Sequence, residues 1–192
     1  MSQPLPVYVS LIDGVSCPTG QQTFPLVAPE SGTTIGMIEE AGPDGVAAAV
    51  ASAKASSLLI RHSAVHQRIT WLNLCAKTLA AAGHEIADLI CEDVGKPIRV
   101  ARFEVKRGVE FLEACAAALP HINGEVLPVG ATVPGEGHFG FTRHIPYGIV
   151  AGVTPFNAPV NLVIQKFAPS SPFIVAGSTI CTKRLNQVGL KS

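Results

Sequence analysis

Four stretches of this chain repeat apolar residues at alternating steps of three and four. They are Val46, Ala49, Val50 and Ala53; Ile69, Leu72, Ala76 and Leu79; Ile86, Leu89 and Ile90; and Val105, Val109, Leu112, Ala116 and Leu119. That spacing places each set on one face of a helix and predicts four half-buried helices. Their ends are punctuated. Pro43 suits the first turn of the first helix, Gly83 stops the second, Gly95-Lys96-Pro97 closes the third and Pro120 the fourth. Before residue 40 the pattern is that of strands. Residues 7–12 are rich in β-formers and end at the turn pair Asp13-Gly14; residues 23–27 form a second run and residues 33–38 a third. Residues 124–128 and 139–143 read as a strand pair around a Gly/Pro-rich link, a ribbon whose exposed edges suit pairing with another subunit.

Residues 146–166, PYGIVAGVTPFNAPVNLVIQK, change the pattern again. The apolar run 149–153 ends at Thr154-Pro155, Phe156-Asn157-Ala158-Pro159 follows, and an apolar-periodic stretch continues to Lys166. This order predicts strand, sharp turn, helix, and open α/β sheets bind ligands at the carboxyl ends of such strands. Residues 178–183 read as a second core strand, and 184–192 show no clear pattern. Only 26 residues follow Lys166, too few to finish a nucleotide-binding sheet, so an incomplete one is expected.

Composition narrows the function classes. Hydrophobic residues make up 47% and charged residues 15% of 192, enough to build a core and too apolar for disorder. The formal net charge is zero, which points away from nucleic acid. The charge is unevenly placed: the first 53 residues carry five acidic groups and no Lys or Arg, which reads as a solvated acidic face or, alternatively, as attraction to a basic surface of the same fold or of a partner subunit. Residues 145–165 carry no charge but contain Pro146, Pro155, Pro159, Asn157 and Asn161. A lone helix in lipid could not satisfy its backbone through so many breaks, so buried core is expected rather than a membrane span. The five cysteines (Cys17, Cys75, Cys91, Cys115 and Cys181) are widely spaced with no C-x-x-C. Reduced, mostly buried thiols in a cytoplasmic protein are expected. The first residues lack a basic region followed by an apolar one, so a secretory signal is not expected.

No G-x-S-x-G, H-E-x-x-H, Walker A or G-x-G-x-x-G occurs. His62 and His66 are four apart with no acidic residue between them, so no metal is expected. Asn157 is the chemically suggestive residue. At the end of a Pro-kinked turn its amide can project into a cleft, where a neutral donor suits a developing oxyanion. It can equally cap the helix that follows.

Four segments together resemble the aldehyde dehydrogenase superfamily. Ala28-Pro29-Glu30-Ser31-Gly32 with Ile35-Gly36 resembles its N-P-x-T-G-x-x-I-G, and Asp93-Val94-Gly95-Lys96-Pro97 its E-x-G-K-P. Gly124-Glu125-Val126-Leu127-Pro128 resembles G-E-x-x-P, and residues 146–166 resemble P-x-G-V-V-x-x-I-T-P-W/F-N-x-P-x-x-x-x-x-x-K, continued by Ala168-Pro169. The likeness covers about residues 7–183. Ala158-Pro159-Val160-Asn161-Leu162 looks closest to branches that oxidise small aldehydes such as lactaldehyde or semialdehydes.

The resemblance implies an α/β fold: the N-terminal part of an aldehyde dehydrogenase, with β strands and helices leading into an incomplete Rossmann-like parallel sheet. It implies four regions: 1–123, strands and helices of the cofactor domain; 124–145, an oligomerisation ribbon; 146–183, a first strand-helix-strand of the NAD(P)-binding sheet; and 184–192, a tail. It implies Asn157 as the oxyanion-hole amide, Thr154, Pro155 and Phe156 as the backbone lining of the nicotinamide side, and Lys183 as the lysine reaching the adenosine ribose. NAD or NADP would be the cofactor, a small aldehyde the substrate, and the protein a homo-oligomer or a partner of a full-length homologue, with no nucleic acid and no membrane. The chain also departs from the family. Arg184-Leu185-Asn186 replaces the Pro-x-Glu that follows the family's lysine, six residues (170–175) separate Pro169 from Ala176, and Ser178 replaces an Asn. The family's nucleophilic cysteine and catalytic glutamate lie downstream of the matched motifs, and none of the five cysteines sits in such a motif. Cys181, in a predicted strand, is expected to be structural. The chain alone is therefore expected to be inactive. The competing reading is a truncated or frameshifted non-catalytic product, or a module that pairs with an intact relative.

Overall fold

The computed structural model describes residues 4–170. Lys183, Cys181, the predicted strand 178–183 and the tail lie outside the described residues.

The run 7–12, read as one strand, is divided between two sheets. β1 (Val7–Tyr8) pairs in parallel with β5 (Thr34–Glu39), whose other edge takes β4 (Thr23–Val27) antiparallel, giving the order β1-β5-β4. β2 (Ser10–Ile12) instead turns back on β3 (Val15–Cys17) as a hairpin. Asp13 and Gly14, both at positive φ (54° and 74°), make the two-residue turn, the backbone hand that matches strand twist. Tyr8, Leu26 and Ile38 form the buried face of the three-stranded sheet, with Ile35 packed beside them. The Thr19 amide and hydroxyl both donate to the Glu39 carboxylate, and the Gly20 amide donates at 2.9 Å. The loop entering β4 is thereby fastened to the end of β5.

The four predicted helices form: α1 (Gly42–His62), α2 (Val65–Ala81), α3 (Gly83–Val94) and α4 (Ile98–Ala118). Gly95 takes φ 65° just past α3, the left-handed cap position that Gly occupies without a Cβ penalty. α1 corrects the sequence reading in part. Ala49 and Ala53 are buried, but Val46 and Val50 of the same stripe are about half exposed. The stripe is wider than the strip of α1 that meets the β region.

α4 is the central element. Its Ala101 and Val105 pack with Ile86, Ala87 and Ile90 of α3, and its Leu112 and Ala116 with Leu72 and Ala76 of α2. A fifth helix, α5 (Pro159–Ser170), closes both groups, Val160 in the first and Ala168 in the second. Gly108 allows this closeness. A Cβ there would stand 2.8 Å from Ile164 Cδ1 and 3.2 Å from Leu79 Cδ2, inside ordinary contact distance.

The strand pair forms as read, β6 (Val126–Leu127) against β7 (Gly140–Phe141). Thr142 donates its amide to the Glu125 carbonyl and accepts the Glu125 amide on its hydroxyl, both at 2.8 Å.

The predicted strand 149–153 does not form. The segment has no ladder partner among the described residues and runs as irregular chain, with Val153 86% exposed. A strand exists by its inter-strand hydrogen bonds, and an apolar run alone does not supply them. The parallel sheet expected here is therefore not present among the described residues. The turn and helix that follow do form, and α5 folds back on this segment: a Cβ on Gly152 would lie 3.6 Å from Lys166 Cβ. None of the described helices is long and apolar enough to cross a membrane.

Candidate active site

The turn at residues 156–158 joins the irregular segment to α5. Pro159 and Val160, at the start of α5, are buried, which fixes the helix end against the molecule. Thr154 is half-buried, while Pro155, Phe156 and Asn157 are exposed. The turn thus faces outward from a firmly seated base, and the four residues are contiguous on that outward face.

What seats the base was not foreseen. The amides of Val160 and Asn161 donate to one carboxylate oxygen of Glu104, Oε1, at 2.9 and 3.3 Å. The other oxygen, Oε2, accepts from Lys96 Nζ. Lys96 Nζ also donates to the Asn157 carbonyl at 2.7 Å. Glu104 is 4% exposed and its partner 16%. A buried carboxylate requires such full pairing, because leaving it unpaired forfeits the hydration it gave up. The negative group also sits at the positive end of α5 and satisfies amides that no intrahelical carbonyl reaches.

This decides the alternative role of Asn157. Glu104, from a helix 56 residues earlier in the chain, caps α5. The Asn157 side chain makes no hydrogen bond among the described residues and is exposed. Its amide is left presenting its donors outward. Lys96 was noticed only as part of a motif, and Glu104 was missed. The available signal was the row Ala101, Glu104, Gly108 on α4, in which a lone carboxylate stands between two small residues on a face otherwise built for close packing. An acid there needs a cation and amides to meet it.

Among the described residues, no cysteine or metal-binding cluster competes with this turn. Burial pushes the Cys75 and Cys115 thiols up, and it does the same to Cys91, where the Asp88 carboxylate adds to the effect. A raised thiol holds less thiolate, which is the nucleophilic form. Cys17, Cys75, Cys91 and Cys115 are free and each is half-buried, less deeply than expected. No group of His, Cys, Asp or Glu among the described residues is arranged to hold a metal ion.

The model of the aldehyde dehydrogenase family matches residues 17–190. The chain belongs to this family. It is 36% identical over 146 residues to the 3-sulfolactaldehyde dehydrogenase of Priestia aryabhattai, a match covering 76% of this chain and 30% of that enzyme. The fold resembles aldehyde dehydrogenase 21 from Physcomitrella patens, solved with the reaction product succinate. The TM-score is 0.83 at 23% identity, over 89% of this chain and 36% of that one. It also resembles the NADP-dependent glyceraldehyde-3-phosphate dehydrogenase of Bacillus halodurans C-125, solved with NADP. There the TM-score is 0.80 at 27% identity, over 89% and 36% of the two chains. This aldehyde dehydrogenase family chain thus spans about a third of the length of the relatives it matches, and over that third it has their mixed α/β fold.

Proposed function

We propose that this chain supplies the oxyanion and nicotinamide side of an active site for NAD(P)-dependent oxidation of a small aldehyde to a carboxylic acid. The observation that carries the reading is the exposed Asn157 amide, without a hydrogen bond among the described residues, on a turn held from behind. In the reaction of the family, a cysteine adds to the aldehyde carbonyl, and negative charge develops on the carbonyl oxygen. Asn157 would donate an N–H to that oxygen. A positioned donor of this kind stabilises the charge where it appears without reorganising.

Half-buried Thr154 and exposed Pro155 and Phe156 would line the flat nicotinamide end of a dinucleotide, which when bound accepts the hydride. Lys183 is our candidate for the adenosine ribose contact. The nucleophilic cysteine and the catalytic glutamate would come from polypeptide beyond the matched motifs, so the chain by itself is proposed not to turn over. Residues 1–123 would serve the cofactor domain, 124–145 oligomerisation and 146–183 the first part of the cofactor sheet. Similarity to an enzyme named for 3-sulfolactaldehyde supports a small aldehyde as substrate.

The test is to join this chain to a downstream segment bearing the nucleophilic cysteine and assay small aldehydes with NAD and NADP. Asn157→Ala should lower kcat by about 10²–10³ and leave KM little changed. An unchanged kcat would remove Asn157 from the oxyanion role. A second reading, a non-catalytic module that pairs with an intact relative, is favoured by the exposed apolar residues Phe139, Phe141, Ile145, Tyr147 and Val153. Co-purification with a full-length homologue, without gain of activity, would support that reading.

A further inference from the structure

We infer that Lys96 and Glu104 are positioning residues for Asn157, acting on both flanks of its turn through one buried ion pair. The inference rests on the proposed oxyanion role of Asn157 for its meaning, but the geometry stands independently. On one side of the turn Lys96 Nζ holds the Asn157 carbonyl at 2.7 Å. On the other, Glu104 Oε1 holds the amides of Val160 and Asn161 at 2.9 and 3.3 Å. Lys96 and Glu104 hold each other. Three backbone groups of the segment 157–161 and the two side chains of its clamp therefore move together.

The arrangement has a purpose that capping alone does not explain. A cap for α5 needs a carboxylate and two amides. It needs no lysine donating to a carbonyl three residues ahead of the first capped amide. That contact fixes the peptide unit from which the Asn157 side chain departs. The side chain is exposed and has no hydrogen bond of its own among the described residues, so the backbone fixes the Cα–Cβ vector from which its few staggered rotamers depart. A donor that is to meet a developing charge must be held before the charge appears. Here the holding is done from within the core, by charged hydrogen bonds, which are stronger than neutral ones. The outward face stays open to the substrate.

Lys96 lies in the connection between α3 and α4, and Glu104 within α4. Both are placed by the packing of these helices, with Gly95 and Pro97 flanking the lysine. The clamp thus ties the direction of one amide to the most buried part of the molecule.

The test uses the full 192-residue chain, labelled with ¹⁵N, and needs no turnover. Backbone amide exchange at Val160 and Asn161 and the side-chain NH₂ resonances of Asn157 are followed in Glu104→Gln, Lys96→Met and the control Glu110→Gln. Glu110 belongs to an exposed pair with Lys106. Leu112 and Ala116 amides serve as the internal reference for overall stability. We expect Glu104→Gln to speed exchange at Val160 and Asn161 by about tenfold relative to the reference, the loss of one charged hydrogen bond. Glu104→Gln and Lys96→Met should both shift the Asn157 NH₂ resonances, and Glu110→Gln should leave all of them in place. If the Asn157 resonances stay put while Val160 and Asn161 exchange faster, Glu104 is only a cap and the inference is overturned. A change no larger at Val160 and Asn161 than at Leu112 and Ala116 also overturns it, because the pair would then act only as a general support. These outcomes are independent of the Asn157→Ala kinetics, which test the oxyanion role itself.

Discussion

Helices α2 to α5 and the segment from residue 139 to residue 156 both carry many large apolar side chains, yet they end in opposite states. Leu72, Ile90 and Leu112 are 2% exposed or less, whereas Phe139, Tyr147 and Val153 are each more than three-quarters exposed. The helices meet their partners within about a hundred residues of chain. Among the described residues the segment 139–156 meets few: Gly140–Phe141 pairs with β6, and the predicted strand 149–153 has no ladder partner. Apolar content sets what a segment would gain from burial, and the presence of a complementary surface sets whether it is buried. A helix satisfies its own backbone, so a stripe and one neighbour suffice. A strand requires a second strand before it exists at all.

The comparison breaks first at the ion pair. Glu104→Ala should destabilise the chain by about 3–5 kcal/mol, because it leaves the largely buried Lys96 and the first amides of α5 without their acceptor. Urea unfolding followed by circular dichroism measures it. A loss below about 1 kcal/mol would mean that the helical half does not depend on the pair. Next comes packing. Leu72→Ala, between α2 and α4, should cost about 2–5 kcal/mol by the same measurement. Val153→Ala, an apolar residue of the other half, should stay within about 0.5 kcal/mol. Equal costs for the two would show that residues 149–153 are buried in solution.

How much of this was legible in the sequence follows the same division. The helices were read from their stripes and ends because period, Gly95 and Pro43 all act within a few residues. The ribbon was legible for the same reason. The split of residues 7–12 between two sheets was not, because Ser10 meets Cys17 across a local turn while Tyr8 meets Ile38, far along the chain. For the site, the Asn157 turn was visible as a pattern of Pro and Asn. Glu104 was not, because its role depends on an ion pair eight residues away and on amides 56 residues away. Spacing along a helix carries no record of either.

The smallest expected effect concerns the β region. Hydrogen bonds from the Thr19 hydroxyl and amide hold the Glu39 carboxyl below the usual carboxylate range. A carboxylate lowered in the folded state contributes stability that is fully present above its ordinary value. That contribution is lost as pH falls through the lowered one. Thr19→Val removes the hydroxyl donor. The Glu39 titration midpoint, followed by carboxyl ¹³C resonance, should then rise toward the ordinary range. No rise would mean that the loop ahead of β4 is not fastened there.

The clamp also has a place in time. Lys96 and Asn157 are 61 residues apart, and a ribosome adding about 5–20 residues per second needs roughly 3–12 seconds to cover that distance. Helices form in about a microsecond. By the time Asn157 is synthesised, Lys96 and Glu104 have long been joined to the growing chain ahead of it. The turn and the first residues of α5 are the last parts of the constellation to arrive, and they are received by a mould that earlier synthesis has had seconds to prepare.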